Sequence, residues 1–401
     1  MTEQDRLTAA LAPLLSEEGW PYASLPPQLP GDPGAYHALF GRDALITSLQ
    51  VLPVRPDVAR ATLRVLAERQ ATEPDAEIEA EPGKIGHEFR SEAPAPFAAA
   101  GYRPLRGGTF KYYGTADATS WWLVLLAALD DRTFADFLEP AWRAAAGWLW
   151  TALERGDGFV RHGLGAPPGS LVQQGWRDAI DPEDSFGPGI VREDGTAPAP
   201  PIADADSQAV AFTALRAVAR LADDPVWEER AAELGERIGR CFLPEVMGLE
   251  RGDRPVPGAG SQLGWLLWSG ALAPAQRAAA ADRLCRPDVL TRWGLRTLAS
   301  SHPAFDAFSY HRGSVWPFDS WIGWGGLRAV GRDAAAETIR TGVLGAVQQL
   351  GLAPELYAVT SDGAIATIAK ATRVQAWTIG ARWALGEGWD GRPAAVGPVQ
   401  E

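Results

Sequence analysis

Apolar positions along this chain recur with a helical period and almost nowhere alternate as a strand would require. The pattern predicts helices over residues 2–17, 43–53, 56–70, 115–130, 132–155, 204–223, 225–242, 260–271, 274–284, 314–330, 333–350 and 372–385. Asp204, Ser261, Ser314 and Asp333 precede apolar-periodic runs and are predicted to cap them, because a short polar side chain there can accept from a free backbone N–H.

The twelve segments alternate between two classes. The odd-numbered ones are amphipathic: in the seventh, Ala231, Leu234, Ile238 and Cys241 share a face, with Glu229, Arg230, Glu236 and Arg237 elsewhere. The even-numbered ones are apolar nearly all round, as in the run from Trp121 to Leu126 and in Trp265-Leu266-Leu267-Trp268, and such helices are buried. Six outer and six inner helices in alternation predict an all-α (α/α)6 barrel, a six-hairpin toroid. An α-solenoid would need a repeat of fixed period, and none is visible. The expected organisation is one catalytic domain over residues 1–401 with no separate N-terminal β domain. Gly- and Pro-rich stretches at 71–114, 156–203, 243–259 and 293–313 are long enough to be functional loops.

Composition narrows the partners. The net charge of −13 repels nucleic-acid phosphate and anionic lipid, so neither is an expected partner, whereas a neutral oligosaccharide or glycoside is compatible with it. No stretch of 18 residues stays apolar, so no membrane span is expected. The acidic N-terminus lacks a secretory pattern, and with only two cysteines, Cys241 and Cys285, a reducing, cytoplasmic setting is expected. The chain has three lysines and no asparagine, a bias that GC-rich coding explains and that selection against heat-labile asparagine would also produce. Its 17 tryptophans exceed what a core ordinarily needs, and indole faces stack on the C–H faces of sugar rings.

Glycoside cleavage needs two carboxyl groups, one to protonate the leaving oxygen and one to activate water or attack carbon. Asp178 closes the run Gln173-Gln174-Gly175-Trp176-Arg177-Asp178, where an aromatic neighbour would raise its pKa as a general acid requires. An Arg–Asp surface pair would explain the same residues. Glu355 follows Pro354, which also suits an ordinary helix first turn. Tyr310, His311, Trp316 and Asp319 gather at the start of a tryptophan-rich helix, Arg42 and Asp43 open another, and Gln375 and Trp377 begin the last. Other chemistries fit poorly. His37, His87, His162, His302 and His311 are scattered without metal-ligand spacing, so no metal is expected. No phosphate-binding loop or nucleophile elbow exists, and Gly258-Ala259-Gly260 is no dinucleotide fingerprint, so no cofactor is expected.

Taken together the motifs resemble the catalytic domain of bacterial amylo-α-1,6-glucosidase-like (glycogen-debranching-enzyme-like) proteins. More distantly they are similar to the α-glucosidase I and mannosylglycerate/glucosylglycerate hydrolase group. The matching pieces are Phe40-Gly41-Arg42-Asp43, Gly86-His87-Glu88, Tyr113-Gly114-Thr115-Ala116-Asp117, Gln174-Gly175-Trp176-Arg177-Asp178, Trp268-Ser269-Gly270, Tyr310-His311, Gly313-Ser314-Val315-Trp316-Pro317, Pro354-Glu355-Leu356 and Gln375-Ala376-Trp377, in family order.

The resemblance implies an inverting, exo-acting hydrolase that releases glucose from α-1,6-linked or other α-glucosides, or one that cleaves a small glycosyl conjugate such as glucosyl- or mannosylglycerate. It implies Asp178 as acid and Glu355 as base. It also implies Arg42, Asp43, His87, Glu88, Tyr113, Asp117, Gln174, Trp176, Arg177, Tyr310, His311, Trp316, Asp319, Gln375 and Trp377 as substrate binders. Gln173, Gln262, Arg312 and Phe318 depart from the family pattern, and the last two are expected to alter charge and shape at the pocket. A sugar epimerase on the same fold would want a central histidine pair, and a non-catalytic sugar-binding protein would not need both carboxylates.

Overall fold

The computed structural model describes residues 2–26, 36–180 and 188–392. Its helices are α1 (Glu3–Leu11), α2 (Gly41–Val51), α3 (Pro56–Glu68), α4 (Ala95–Ala99), α5 (Ala118–Ala128), α6 (Arg132–Phe137), α7 (Glu139–Arg155), α8 (Ala205–Ala222), α9 (Val226–Cys241), α10 (Gln262–Ser269), α11 (Pro274–Leu284), α12 (Pro317–Ala329), α13 (Asp333–Leu350) and α14 (Ala376–Glu387). The six segments read as apolar all round become α2, α5, α8, α10, α12 and α14. Each packs on the next, and α14 returns to pack on α2, so the six close a ring. Around them stand the amphipathic helices: α3 on α2, α7 on α5 and α8, α9 on α8, α11 on α10, α13 on α12 and α14, and α1 on α14. The fold is thus helix-rich, an inner ring of six helices with amphipathic helices packed around it.

Burial explains which helices are inner. Every residue of α2 and of α10 is buried, while α9 buries only one stripe that includes Ala231, Leu234 and Ile238. Trp121, Trp122, Trp265, Trp268 and Trp321 are core side chains, which accounts for part of the tryptophan excess. The inner ring is tight where glycines meet: a Cβ on Gly264 of α10 would lie 2.6 Å from Gly323 Cα of α12. Side chains at that crossing would push the two helices apart.

Several sequence expectations change. The segment 132–155 breaks at Leu138, with Pro140 in the first turn of α7, where its missing N–H has no partner to lose. Of the four predicted caps only Asp204 works, accepting from Ser207 N at 2.7 Å. Ser261 makes no cap bond, and its hydroxyl accepts from Arg177 instead. Ser314 lies before the helix start and donates to Tyr310 O, while Asp333 is inside the first turn of α13.

The long loops also hold short strands that no alternating pattern announced. Leu39–Phe40, Glu88–Arg90, Thr109–Tyr112 and Leu105–Arg106 form one antiparallel sheet, and Tyr357–Val359 pairs with Ile365–Thr367. Ladders of two to four residues are too brief for a period of two to show. No helix among the described residues is long and apolar enough to cross a membrane.

Candidate active site

Four of the six inner helices begin at motif residues and the other two at predicted caps. Phe40, Asp117, Asp204, Ser261, Trp316 and Gln375 occupy the position just before α2, α5, α8, α10, α12 and α14 respectively. Buried hydrogen bonds stitch these starts together. Arg42 Nε donates to both carboxylate oxygens of Asp117, at 3.0 and 2.8 Å. Arg177 donates to Asp206 Oδ2 (3.0 Å), Ser261 Oγ (2.8 Å) and Thr297 O (2.6 Å). Trp265 Nε1 donates to Asp319 Oδ1 at 2.6 Å, and Gln375 Nε2 to Asp43 Oδ1 at 3.0 Å. Polar groups buried this deeply must be paired with each other, and here the pairing holds one end of the ring in register.

A cavity opens above this belt, with about 800 Å3 of empty volume including its mouth, within the range of small-ligand sites. Eleven of the residues expected to serve the site line it: Arg42, Asp43, His87, Glu88, Trp176, Asp178, Tyr310, His311, Trp316, Glu355 and Trp377. The other six do not reach its wall. Asp117, Arg177, Asp319 and Gln375 are belt residues. Gln174 turns its amide to Glu79 Oε2 (2.7 Å) and Leu171 O (3.0 Å). Tyr113 donates to Arg69 O at 2.7 Å and stands at a separate polar pocket beside Arg69 and Lys111.

The two departures expected to reshape the pocket are also off its wall. Phe318 is fully buried and stacks on Trp377 at 4.0 Å, and Arg312 donates to Ser309 Oγ at 3.2 Å. Gln173 clamps its own loop, accepting from Gly189 N and Ile190 N, and Gln262 donates to Gly258 O at 2.7 Å.

Asp178 ends a loop that folds back on itself through Val172 N to Ala179 O (2.8 Å) and Ala179 N to Gln173 O (3.2 Å). His162 supports that loop from behind, accepting from Gln174 N on Nδ1 at 3.2 Å while Nε2 faces Asp204 Oδ2 at 3.1 Å. Arg42 Nη1 donates to Asp178 Oδ2 at 3.1 Å, and Nη2 to Gly175 O at 3.0 Å. The Asp178 side chain keeps 27% of its surface open to the cavity. Burial among protein groups pushes its carboxyl up to about 6, against the Arg42 cation and hydrogen bond, with Asp117 adding to the rise.

Glu355 lines the same cavity from a different loop. Its Oε1 accepts from the Tyr310 hydroxyl at 2.6 Å and its Oε2 from Thr372 N at 3.1 Å. Burial pushes it to about 8. The two donors favour the ionised form, and the charges of Asp43 and Asp178 oppose it. Asp43 and Glu88 are each raised to about 7, again by burial first. Arg42 eases Asp43, and the ion pair with Arg90 eases Glu88. His87 is held well below its usual value by burial and by Arg42, Arg90 and Lys84, so it stays neutral at physiological pH. Four carboxyls facing one space thus share few charges, the arrangement an acid–base pair needs.

Aromatic faces complete the walls. Trp316 lies 5.4 Å from His311 nearly parallel and 5.4 Å from Trp176 edge-on. Tyr36, Phe40, Arg90, Pro94, Pro96, Phe97, Leu171, Ala179 and Ile180 also line the cavity without having been expected there. Nearness to the Arg42 and Glu88 motifs was a signal for Phe40 and Arg90. For Pro94 to Phe97 the sequence carried none. Among the described residues no cluster of three histidine, cysteine or acidic side chains could hold a metal ion.

Comparison with known proteins agrees with this geometry. Residues 42–378 match the family described as the mannosylglycerate hydrolase MGH1-like glycoside hydrolase domain. No curated protein matches the chain. A GH63 mannosylglycerate hydrolase from Thermus thermophilus, solved with Tris and D-glycerate, is similar in fold with a TM-score of 0.69 at 16% identity, covering 96% of this chain and all of that one. The same hydrolase solved with glucose gives 0.67 at 17% identity, over 97% of this chain and all of that one. A structure described as a wild-type glycosidase gives 0.53 at 16% identity, with 98% and 97% covered. These matches favour the mannosylglycerate hydrolase group, the more distant of the two resemblances read from the motifs, over the amylo-α-1,6-glucosidase-like one. The protein is therefore a glycoside hydrolase and belongs to the mannosylglycerate hydrolase MGH1-like glycoside hydrolase domain family.

Proposed function

We propose that this protein is an inverting, exo-acting α-glycoside hydrolase on an (α/α)6 barrel that cleaves a small α-glycosyl conjugate, with α-mannosyl- and α-glucosylglycerate the first substrates to test. The observation that carries the reading is that Asp178 and Glu355, from separate loops, line one aromatic-walled cavity. Protonated Asp178 gives its proton to the glycosidic oxygen as the bond from that oxygen to the anomeric carbon breaks. A water attacks that carbon from the opposite face and loses a proton to Glu355, so the product sugar has the inverted, β configuration. Burial raises the Asp178 carboxyl to about 6, so that it carries a proton at mildly acidic pH, where an ordinary aspartate is ionised. Tyr310 and Thr372 hold Glu355 by both oxygens, and both bonds favour the carboxylate that water activation requires. Arg42 and Asp43, at the floor, and the indoles of Trp176, Trp316 and Trp377 would hold the sugar's hydroxyls and C–H faces.

The test is sugar release by the pure protein from mannosylglycerate, glucosylglycerate, simple alkyl α-glycosides, isomaltose-type oligosaccharides and a debranching limit dextrin, with the product anomer read early. Release of the β anomer from a small conjugate, falling by roughly 10^3-fold or more in Asp178→Asn and Glu355→Gln, is the expected result. Initial release of the α anomer would overturn the inverting assignment. Release from the limit dextrin alone would restore the debranching reading.

A further inference from the structure

The cavity wall next to Asp178 is apolar. The loop that carries Asp178 closes through Val172 and Ala179, which brings Leu171 and Ile180 together at its base. Both pack into a small aromatic cluster with Phe97, Tyr102, Phe110 and Tyr112, separate from the main core. The cluster's cavity face is made by Leu171, Ala179 and Ile180 from this loop and by Pro94, Pro96 and Phe97 from the start of α4. None of those six side chains carries a polar atom. Of the polar residues that line the cavity, Arg90 stands nearest Pro94 in sequence and is held in an ion pair with Glu88, while Glu355, Tyr310, Trp316 and Trp377 belong to other loops and helix starts.

A general acid lies on the leaving-group side, because its proton goes to the oxygen that departs. The apolar stretch beside the Asp178 loop is therefore assigned to the aglycone, while Arg42, which holds the other side of Asp178, and Asp43 are left for the sugar. We propose that the aglycone site accepts an apolar alcohol, an alkyl or arylalkyl chain, in preference to a hydroxyl- or carboxylate-rich one. This rests on the reading of Asp178 as the acid. A glycerate or second sugar pressed on these six side chains would lose water from its polar groups with no donor or acceptor from them in return. An alkyl chain gains from the same burial, about fourfold in affinity for each methylene covered.

The test uses the intact protein and methyl, butyl, hexyl and benzyl α-D-glucopyranosides and α-D-mannopyranosides beside the two glycerate conjugates. The simple alkyl alcohols have similar acidity, so differences among them report binding rather than leaving-group chemistry. On the sugar that is released, kcat/KM is expected to rise at least tenfold from methyl to hexyl and to exceed that of the glycerate conjugate. Ile180 and Pro96 are only half-buried, so Ile180→Asp and Pro96→Ser should fold. They should cut the hexyl-to-methyl ratio by about fivefold or more, read as a ratio within each variant so that any change in the basal rate cancels. A glycerate conjugate preferred over every alkyl glycoside overturns the proposal and leaves the hydrolase reading standing. So does a hexyl-to-methyl ratio near one. If the wild-type protein cleaves no member of the panel, the hydrolysis reading for small conjugates falls and this proposal falls with it.

Discussion

The Tyr310 hydroxyl donates to Glu355 Oε1 across 2.6 Å, and the Tyr36 hydroxyl lies 3.3 Å behind it. Such a bond favours the ionised form against the burial that raises Glu355 to about 8, and it fixes one rotamer. Tyr310→Phe removes that donor without removing the ring. With the bond gone, burial and the charges of Asp43 and Asp178 act on Glu355 with less opposition, so its pKa rises. At pH 7 the rate should fall about 10- to 100-fold, and part of the loss should return as the pH is raised. A variant whose deficit is the same at pH 6 and pH 9 would show that the hydroxyl acts on something other than ionisation.

The wild-type pH profile follows from the same groups. Asp178 at about 6 and Glu355 at about 8 interact, so the protons leave in steps that belong to the pair rather than to either residue. The working form carries one proton between them, on Asp178, and is the minor partner of the form with the proton on Glu355 that these values favour. Below about 6 a second proton arrives and the water-activating carboxylate is lost. Above about 8 the last proton leaves and nothing is left for the departing oxygen. kcat/KM for a neutral alkyl α-glycoside should therefore be bell-shaped with its maximum between those limits. Activity that stayed flat from pH 4 to pH 10 would remove one or both groups from the chemistry.

Arg42 is a second point of control. Its three nitrogens reach Asp117, Asp178 and Gly175 O together, a geometry that only a planar guanidinium can span. Arg42→Lys keeps the charge and loses the fork. Asp117, almost fully buried, would then lose at least one of its two bonds from Arg42. Turnover is expected to fall about 100-fold or more, the melting temperature to drop by a few degrees, and the acid limb to move to higher pH. The last follows because Arg42 lowers the Asp178 pKa, so weakening that contact raises it. Unchanged kinetics in Arg42→Lys would mean the fork does not hold the acid.

How much of this was written in the sequence depends on the residue. The inner ring was legible because helices such as α5 and α10 are apolar on all sides, and no exposed helix can be. Motif context, not charge, singled out Asp178 and Glu355 from the other acids, and both line the cavity. The depth of a motif residue was not legible. Arg42 and Asp117 stand in motifs of equal weight, yet one lines the cavity and the other is hidden beneath it holding the first. Asp319 and Gln375 were lost to the belt in the same way. Caps failed at Ser261 and Ser314 because tertiary partners, Arg177 and Tyr310, claim their hydroxyls. The apolar wall from Pro94 to Phe97 was illegible because it depends on a loop docking beside Asp178, a contact with no local signal.

His162 offers a test of how far the acid depends on groups that touch no substrate. Its Nδ1 accepts from Gln174 N, so the ring proton sits on Nε2 and is shared with Asp204. Burial works to raise the Asp204 carboxyl, but His162 and Ser207 hold it below the usual carboxylate range. The chain from α8 through Asp204 and His162 to Gln174 thus fixes the backbone four residues before Asp178. His162→Asn keeps an acceptor near the Nδ1 position and gives up most of the contact with Asp204. His162→Phe loses both. If the role is to position the acid loop, kcat should fall about 10- to 100-fold in His162→Phe and clearly less in His162→Asn, with KM nearly unchanged in both. Because the imidazole is buried behind the loop, a purely structural role would instead lower the melting temperature and the amount of active enzyme, with kcat per folded molecule preserved. Active-site titration beside thermal melting separates the two, and equal kcat values in the three proteins would end the positioning role.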